Sequence, residues 1–457
     1  MRSAAHPTVL HLYLNQMENK KESILKKDGV SFVVPFILIT SCFALWGFAN
    51  DITNPMVKAF SKIFRMSVTD GALVQVAFYG GYFAVAFPAA IFIRRYSYKA
   101  GVLLGLGLYA LGAFLFYPAK AMGEYYPFLI AYFIMTCGLS FLETSSNPYI
   151  LSMGTEETAT RRLNLAQSFN PMGSLLGMFV AMNFIQAKLN PLDTAGRAKL
   201  SDAEFEAVKD SDLTVLIGPY LAIGIVILVI FFVILFAKMP KNGDQNHKID
   251  FIPTLRRIFS MPHYREGVIA QFFYVGVQIM CWTFIIQYGT HILMDEGMSE
   301  QAAEVLSQKY NIIAMVIFCC SRFICTFILR FLNAGQLLMI LAIAGGVLVC
   351  GVIALQNIYG LYCLVGVSAC MSLMFPTIYG IALTGLGDDA KFGAAGLIMA
   401  ILGGSVLPPL QAMIIDLKTV LGIPAVNASF ILPFICFVVI TIYGYRTKMR
   451  SKGLLKN

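Results

Sequence analysis

Runs of about 20 apolar residues recur along the whole chain, and they limit the fold more than any other feature of the sequence. A helix of that length crosses the roughly 30 Å hydrocarbon core of a bilayer. The pattern predicts an all-α membrane protein with twelve transmembrane helices, near residues 33–57, 71–93, 100–118, 126–151, 163–186, 214–237, 266–291, 311–329, 336–355, 359–384, 392–416 and 426–445.

Composition and charge support this class. Only 13% of the 457 residues are charged and 58% are hydrophobic, whereas a soluble domain carries about 25% charged residues. Of the 34 Lys and Arg residues, 23 fall in segments on the side that holds both termini and ten fall on the other side. By the positive-inside rule, both termini are predicted to be cytoplasmic. The net charge of +9 then reflects topology, and no nucleic-acid partner is expected.

Two polar segments interrupt the spans. The acidic segment 187–213 contains the helix-capping pattern that begins at Ser201, and the basic segment 238–265 divides the spans six and six. The predicted organisation is a cytoplasmic tail, a six-helix half, a cytoplasmic linker, a second six-helix half and a second tail, at residues 1–32, 33–237, 238–265, 266–445 and 446–457. Residues 1–16 precede a natural cytoplasmic start at Met17 and are expected to be dispensable; loss of insertion on expression from Met17 would contradict this.

The two halves resemble each other weakly. Pro148 and Pro376 are 228 residues apart, and Trp46 and Trp282, the two tryptophans of the chain, are 236 apart. Each tryptophan falls near the middle of the first span of its half, whereas tryptophans that anchor at the membrane interface belong at span ends. An indole face can stack on the C–H face of a sugar ring while its N–H donates. The tryptophans are predicted to form a ligand platform, and core packing is the alternative.

Three ionisable side chains fall well inside predicted spans: Asp51, Glu143 and Arg322. A central charge costs about 2.5–3.5 kcal/mol on insertion scales, so such residues usually face a cavity or a partner. Glu143 is followed by the polar run 144–147, which predicts a wet cavity and a carboxyl that exchanges a proton. Arg322 is interpreted as a structural residue or as a charge partner in a buried ion pair.

Uncharged amides accompany these charges. Asn50 and Asn54 fall on span one, and Gln167 and Asn170 are three residues apart on one face of span five. Amides and carboxylates can bridge neighbouring hydroxyls, so the set favours a neutral polyol over an anion. Interhelical hydrogen bonding is the alternative for any single amide. The second half is predicted to extend the lining through Gln271, Gln278, Gln287, Tyr288 and Tyr379.

Several motifs together resemble the fucose–proton symporter family of the major facilitator superfamily: "ALWGFAND", "AFYGGYF", "YSYKAG", "LETSSNP", "RLNLAQSFN", "AQFFYVGVQIMCW" and "FPTIYGIALTGLG". The resemblance runs from about residue 33 to residue 416. It implies two six-helix halves, alternating access, and import of a free monosaccharide with a cation. It also implies that Glu143 is a coupling residue and that the sugar contacts are Trp46, Gln167, Asn170, Trp282 and Tyr379.

The family pattern departs in span one. The resemblance places a second coupling carboxylate in an "N-N-x-N-D" pattern, whereas this sequence reads "N-D-I-T-N". Asn54 therefore occupies the position of the family aspartate, and Asp51 occupies that of an earlier asparagine. The two positions are one helical turn apart, with roughly 60° between their directions. Asp51 is expected to face the cavity and take over the role, and a different coupling ion or stoichiometry is the alternative.

The predicted function is import of a monosaccharide, L-fucose first, by proton symport through a bacterial inner membrane. Sodium-coupled or passive transport of another hexose, such as glucose or galactose, is the alternative. No enzyme is expected, because no nucleophile–base arrangement is found. No cofactor or metal site is expected either, because the five histidines and ten cysteines lack metal-ligand spacing. The protein is expected to be a monomer whose partners are the sugar, the proton and the lipid bilayer.

Overall fold

The computed structural model describes residues 25–27, 30–53, 56–66, 73–190, 192, 194–239, 251–415, 417, 419–420 and 422–454. Within these residues, eleven helical segments are long and apolar enough to cross a membrane. The fold is all-α, apart from two short hairpins that pair Lys26–Lys27 (β1) with Val30–Ser31 (β2) and Thr419–Val420 (β3) with Ile423–Pro424 (β4).

In the described residues, the N-terminal half comprises nine helices. They are α1 (Val33–Thr53), α2 (Met56–Ile63), α3 (Leu73–Arg95), α4 (Tyr98–Met122), α5 (Tyr126–Ser152), α6 (Ala159–Gln167), α7 (Asn170–Val180), α8 (Thr194–Ala198) and α9 (Asp202–Phe236), with 3₁₀ turns at Glu156–Thr158 and Gln186–Lys188. α9 starts in a capping box in which Ser201 accepts from the backbone N–H of Glu204, as the sequence pattern predicts. The spans pack in the pairs α1–α7, α4–α5, α3–α5 and α4–α9.

A linker helix, α10 (Phe251–Ser260), precedes the C-terminal half. That half comprises α11 (Pro262–Asp295), α12 (Glu300–Ile328), α13 (Ala334–Ala354), α14 (Ile358–Met371), α15 (Met374–Leu383), α16 (Ala390–Met399), α17 (Gly403–Ile415), α18 (Ala425–Ala428) and α19 (Ile431–Ser451), with 3₁₀ turns at Gly387–Asp389 and Ala400–Leu402. α11 lies at its centre, against α12, α15, α17 and α19.

Of the twelve predicted spans, 163–186 is the one without a counterpart among the eleven long helical segments of the described residues. It is divided into α6, α7 and a π-helical turn at Ala181–Ile185. Asn170 opens α7 and Pro171 follows it at a position where the missing N–H costs nothing. The break between α6 and α7 falls between Gln167 and Asn170, so it sets the directions of both amides.

Close helix packing fixes α7 against α1. A Cβ atom at Gly47 would collide with the main-chain oxygen of Asn170, and one at Gly173 would collide with that of Ala44. Only glycine allows two helices to approach this closely. The contact holds Asn170 beside the turn of α1 that carries Trp46.

The halves are fastened together at the end of the bundle that carries α10, which we call the linker end. Asp389, just before α16, accepts from Arg94 of α3 at 3.0 Å and from Nε of Arg257 of the linker helix at 2.7 Å. Arg94 and Asp389 are buried, where an ion pair is screened little by salt. Nearby, the backbone N–H of Gly385 donates to Glu156 at 3.1 Å. The linker end is therefore closed.

A candidate substrate cavity between the two halves

A cavity of about 160 Å³ lies between the halves. The N-terminal half lines it with Trp46, Asn50, Asp51, Thr53, Phe78, Tyr79, Tyr82, Glu143, Gln167, Asn170, Pro171 and Ser174. The C-terminal half lines it with Val275, Gln278, Ile279, Trp282, Met315, Phe318, Arg322, Phe375 and Ile401. Apolar walls with a few converging polar groups are typical of small-molecule sites.

Nine residues singled out in the sequence lie together on this surface: Trp46, Asn50, Asp51, Glu143, Gln167, Asn170, Gln278, Trp282 and Arg322. Asn54 lies outside the described residues. Tyr379 does not line the cavity: its side chain is fully buried and stacks on Phe375, with 6.1 Å between ring centroids. Phe375 precedes Tyr379 by one turn of α15 and takes the lining position.

Glu143 is the most deeply placed acid of the cavity, with 4% of its surface exposed. The hydroxyl of Tyr82 on α3 donates to its Oε1 at 2.9 Å. The hydroxyl is neutral and does not offset a negative charge. When Glu143 is ionised, the protein therefore bears the free-energy cost of a charge buried within the membrane. Binding a proton removes that cost, and a carboxyl in this position suits reversible proton binding.

The polar run after Glu143 faces protein and not the cavity. Thr144, Ser145, Ser146 and Asn147 are fully buried, and among residues 144–147 none lines the cavity. Ser145 donates to the carbonyl of Phe141 within its own helix. The polar run therefore does not line the cavity, and of residues 143–147 only Glu143 reaches it.

Asn147 connects the acid to the amide on α6. Its Nδ2 donates to the main-chain oxygen of Glu143 at 3.0 Å, and its Oδ1 accepts from Nε2 of Gln167 at 2.8 Å. The bond to Asn147 fixes the direction of the Gln167 amide, whose Oε1 can accept from a ligand and whose second N–H on Nε2 remains a donor. Asn170 is oriented in the same manner, since its Nδ2 donates to the carbonyl of Phe43 at 3.2 Å.

Asp51 lines the cavity from α1 beside Asn50, and both are half-buried. Tyr79 of α3 lines the same side of the cavity. Asp51 and Glu143 thus belong to the same wall but to different helices, and Asp51 is the more solvent-accessible of the two acids.

The two tryptophans approach the cavity from opposite halves. Trp46 is 4% exposed and packs on Phe43, with 4.2 Å between ring centroids. Trp282 is half-buried; its Nε1 donates to Ser368 at 3.2 Å, and Phe318 meets its ring edge to face at 4.9 Å. The indole N–H donates to Ser368, which does not line the cavity, so Trp282 presents an apolar surface to a ligand.

Arg322 joins the two halves at the wall of the cavity. Its Nη1 donates to the main-chain oxygen of Gln167 at 3.0 Å, its Nε donates to that of Ser372, and its guanidinium lies 4.6 Å from the ring centroid of Phe318. Within the described residues its side chain forms no ion pair. Arg322 therefore contributes as a bridge to main-chain carbonyls and not as the partner of a carboxylate.

Sequence reasoning gave no role to three aromatic lining residues of α3: Phe78, Tyr79 and Tyr82. They belong to the motif "AFYGGYF", in which Tyr79 and Tyr82 are three residues apart and so share a helix face. This shared helix face is the sequence feature from which their position in the cavity could have been predicted. The contact of Tyr82 with Glu143 joins residues 61 positions apart and depends on how α3 packs against α5.

Two packed helical halves around a polar cavity are the arrangement of a membrane transporter. The family model described as Major Facilitator Superfamily matches residues 39–408, which is most of the chain. The sequence match and the fold both assign the protein to the transporters of the major facilitator superfamily.

Comparison with individual relatives identifies the family within this superfamily. The chain is 54% identical to the L-fucose-proton symporter of Haemophilus influenzae over 421 residues, 91% of this chain and 96% of that protein. It is 34% identical to the L-fucose-proton symporter of Escherichia coli over 429 residues, 91% and 93% of the two chains. The crystal structure of the transporter FucP in the outward conformation superimposes with a TM-score of 0.82 at 32% identity, covering 91% and 99%. The chain belongs to the fucose–proton symporter family of the major facilitator superfamily, a family of transporters and not of enzymes.

Proposed function

We propose that the protein imports L-fucose together with a proton across the bacterial inner membrane, by alternating access. The observation that carries this proposal is the buried carboxyl of Glu143 in the same cavity as oriented amides and two tryptophans. The 54% identity to a protein named L-fucose-proton symporter supports the choice of sugar and ion.

Sugar binding is assigned to the amides and the indole faces. Oε1 of Gln167 and the side chains of Asn50 and Asn170 hydrogen-bond the hydroxyls, and Trp282 or Trp46 covers the apolar face of the ring. A neutral sugar fits this lining because Arg322, the cation of the described lining, is already bound to two carbonyls.

Proton coupling is assigned to Glu143, with Asp51 as the second acid. The proton enters from the open side and neutralises the pair, chiefly Glu143. The neutral pair permits sugar binding and the change of state, because a neutral carboxyl no longer opposes closure of the cavity around it. Release of the sugar and the proton on the other side completes the cycle.

The structure corresponds in this proposal to the outward-facing state. The positive-inside rule assigns the linker end to the cytoplasm, and at this end Asp389 bridges Arg94 and Arg257. Import then requires that this bridge breaks as the halves rock about the midplane. One chain supplies the whole cavity, so a monomer suffices.

Intrinsic fluorescence tests the substrate assignment, because the two tryptophans of the chain both line the cavity. Titration with L-fucose is expected to change the emission saturably, and glucose and galactose are expected to act only at much higher concentration. The variants Trp46→Phe and Trp282→Phe isolate each signal. A saturable response to glucose or galactose with none to L-fucose would mean that the substrate is one of those hexoses. Sodium dependence of the titration would mean that sodium, and not the proton, is the coupling ion.

A further inference from the structure

A second, apolar groove runs along the seam between the halves towards the linker end. Phe83 and Phe87 of α3 form one wall, Phe272 of α11 and Met399 of α16 form the other, and Phe259 of the linker helix closes its end. Among the described residues, none lines both the groove and the sugar cavity. It is therefore a separate feature built from both halves and the linker.

The groove opens towards lipid. Phe83 is 49% exposed, Ile269 is 49% exposed and Phe259 is 39% exposed, and all three belong to its lining. In a chain that spans a bilayer, lipid acyl chains surround such a surface. An acyl chain is the occupant whose shape and polarity match a long apolar groove at this depth.

Two exposed arginines lie close in sequence to residues that line the groove. Arg256 lies one turn before Phe259 on the linker helix, and Arg265 lies one turn before Ile269 on α11, so each arginine shares a helix face with a groove residue. Both are exposed. In the described part of the chain neither forms an ion pair, whereas the neighbouring Arg257 is neutralised by Asp389.

The linker helix is amphipathic in a way that fits the membrane surface. Ile252, Arg256 and Phe259 fall on its outer face, and Ile252 is 75% exposed; Thr254 and Ile258 are buried on its inner face. A helix with an apolar stripe beside arginines lies in the interface and attracts anionic lipid.

We propose that this groove binds one anionic phospholipid, with an acyl chain between the halves and the phosphate between Arg256 and Arg265. The lipid contacts α3, α11, α16 and the linker helix at once. It therefore stabilises the arrangement in which Asp389 bridges Arg94 and Arg257, and it favours the state with a closed linker end.

Lipid binding to the purified full-length protein tests the proposal without any sugar. The protein in neutral detergent is titrated with phosphatidylglycerol and with phosphatidylcholine of the same acyl chains, and bound lipid is counted by native mass spectrometry alongside the melting temperature. One phosphatidylglycerol is expected to bind preferentially and raise the melting temperature. Water-soluble glycerol 3-phosphate, which has no chains, is expected to have no effect.

Two variants locate the site. Arg256→Gln with Arg265→Gln is expected to weaken phosphatidylglycerol binding about thirtyfold, since each basic residue contributes about 1 kcal/mol to anionic-lipid attraction. The control Arg330→Gln removes an exposed arginine away from the groove and is expected to bind as the wild type does. Ala400→Phe fills the groove and is expected to prevent binding.

Unchanged phosphatidylglycerol binding in the double arginine variant, or equal binding of the two phospholipids by the wild type, would overturn the proposal. The arginine variants keep the test valid if Ala400→Phe fails to fold, because Arg256 and Arg265 are exposed.

Discussion

The N-terminal wall of the cavity is polar and ionisable, whereas the C-terminal wall is mostly apolar and aromatic. Asp51, Glu143 and Gln167 lie on the first wall; Trp282 and Phe318 lie on the second. Gln278 and Arg322 are the polar members of the C-terminal lining, and Arg322 is held by carbonyls. In the proposed roles, proton coupling is assigned to acids of the N-terminal wall alone, whereas contact with the sugar ring is assigned to tryptophans of both walls, Trp46 and Trp282.

The largest effect is expected from Glu143→Gln, which removes the ionisable group and keeps a polar side chain. A proton moving down 100 mV gains about 2.3 kcal/mol, enough for about fiftyfold accumulation of sugar. The variant is expected to reduce accumulation to a ratio of one while sugar-for-sugar exchange continues, as measured with labelled sugar in proteoliposomes. Glu157→Gln, at an exposed acid outside the cavity, serves as the control. Uphill uptake by Glu143→Gln would remove Glu143 from the coupling role.

Trp282→Ala tests the opposite wall. Loss of the ring removes stacking and buried area, and it is expected to raise the KM for the sugar about tenfold or more, which corresponds to about 1.4 kcal/mol. The number of protons per sugar is expected to stay unchanged, and Trp282→Phe is expected to recover much of the affinity. A changed proton-to-sugar ratio in Trp282→Ala would contradict the division of roles between the walls.

Asp51→Asn tests whether the acid of α1 has replaced the one that the family pattern has at position 54. Accumulation driven by a pH gradient is expected to fall severalfold, less than in Glu143→Gln, because Asp51 is the more accessible acid. Asn54→Asp in the same chain restores a carboxylate one turn away and is expected to recover coupling. Wild-type accumulation by Asp51→Asn alone would leave Asp51 as a residue that only hydrates the cavity.

The smallest effect is expected from Tyr82→Phe. The change removes one hydrogen bond to Glu143, which contributes about 0.5–1.5 kcal/mol when the carboxyl is neutral, and keeps the ring. Proton-driven uptake is expected to slow about tenfold or less, with exchange and the sugar KM nearly unchanged. If exchange failed as completely as uphill uptake, the role of Tyr82 would be to shape the cavity and not to support Glu143.

The sequence predicts most of the fold because hydrophobic runs of membrane length follow from local composition. Span five is the exception. The run 163–186 is apolar enough, but Asn170, Pro171 and the π-turn break it into short helices. That break depends on close contact with α1 at Gly47 and Gly173, which hydrophobicity does not report.

The sequence predicts those members of the candidate site whose residue type is itself unusual inside a membrane span. Acids, amides and tryptophans inside apolar spans are conspicuous, and eight of them meet in the cavity. Contacts across helices are not predictable in this way. The neighbour of Glu143 is Tyr82, and Phe375 lines the cavity where Tyr379 was expected. Both outcomes depend on helix rotation, which moves a side chain by about 100° per residue.

Proton movement on sugar addition is the most direct test of proton symport with L-fucose. The purified protein is placed in proteoliposomes that contain a pH-sensitive dye, and L-fucose is added outside with and without sodium. We expect internal acidification that saturates with L-fucose, is independent of sodium and is absent in Glu143→Gln. Entry of labelled L-fucose without any pH change, or only in the presence of sodium, would contradict this expectation.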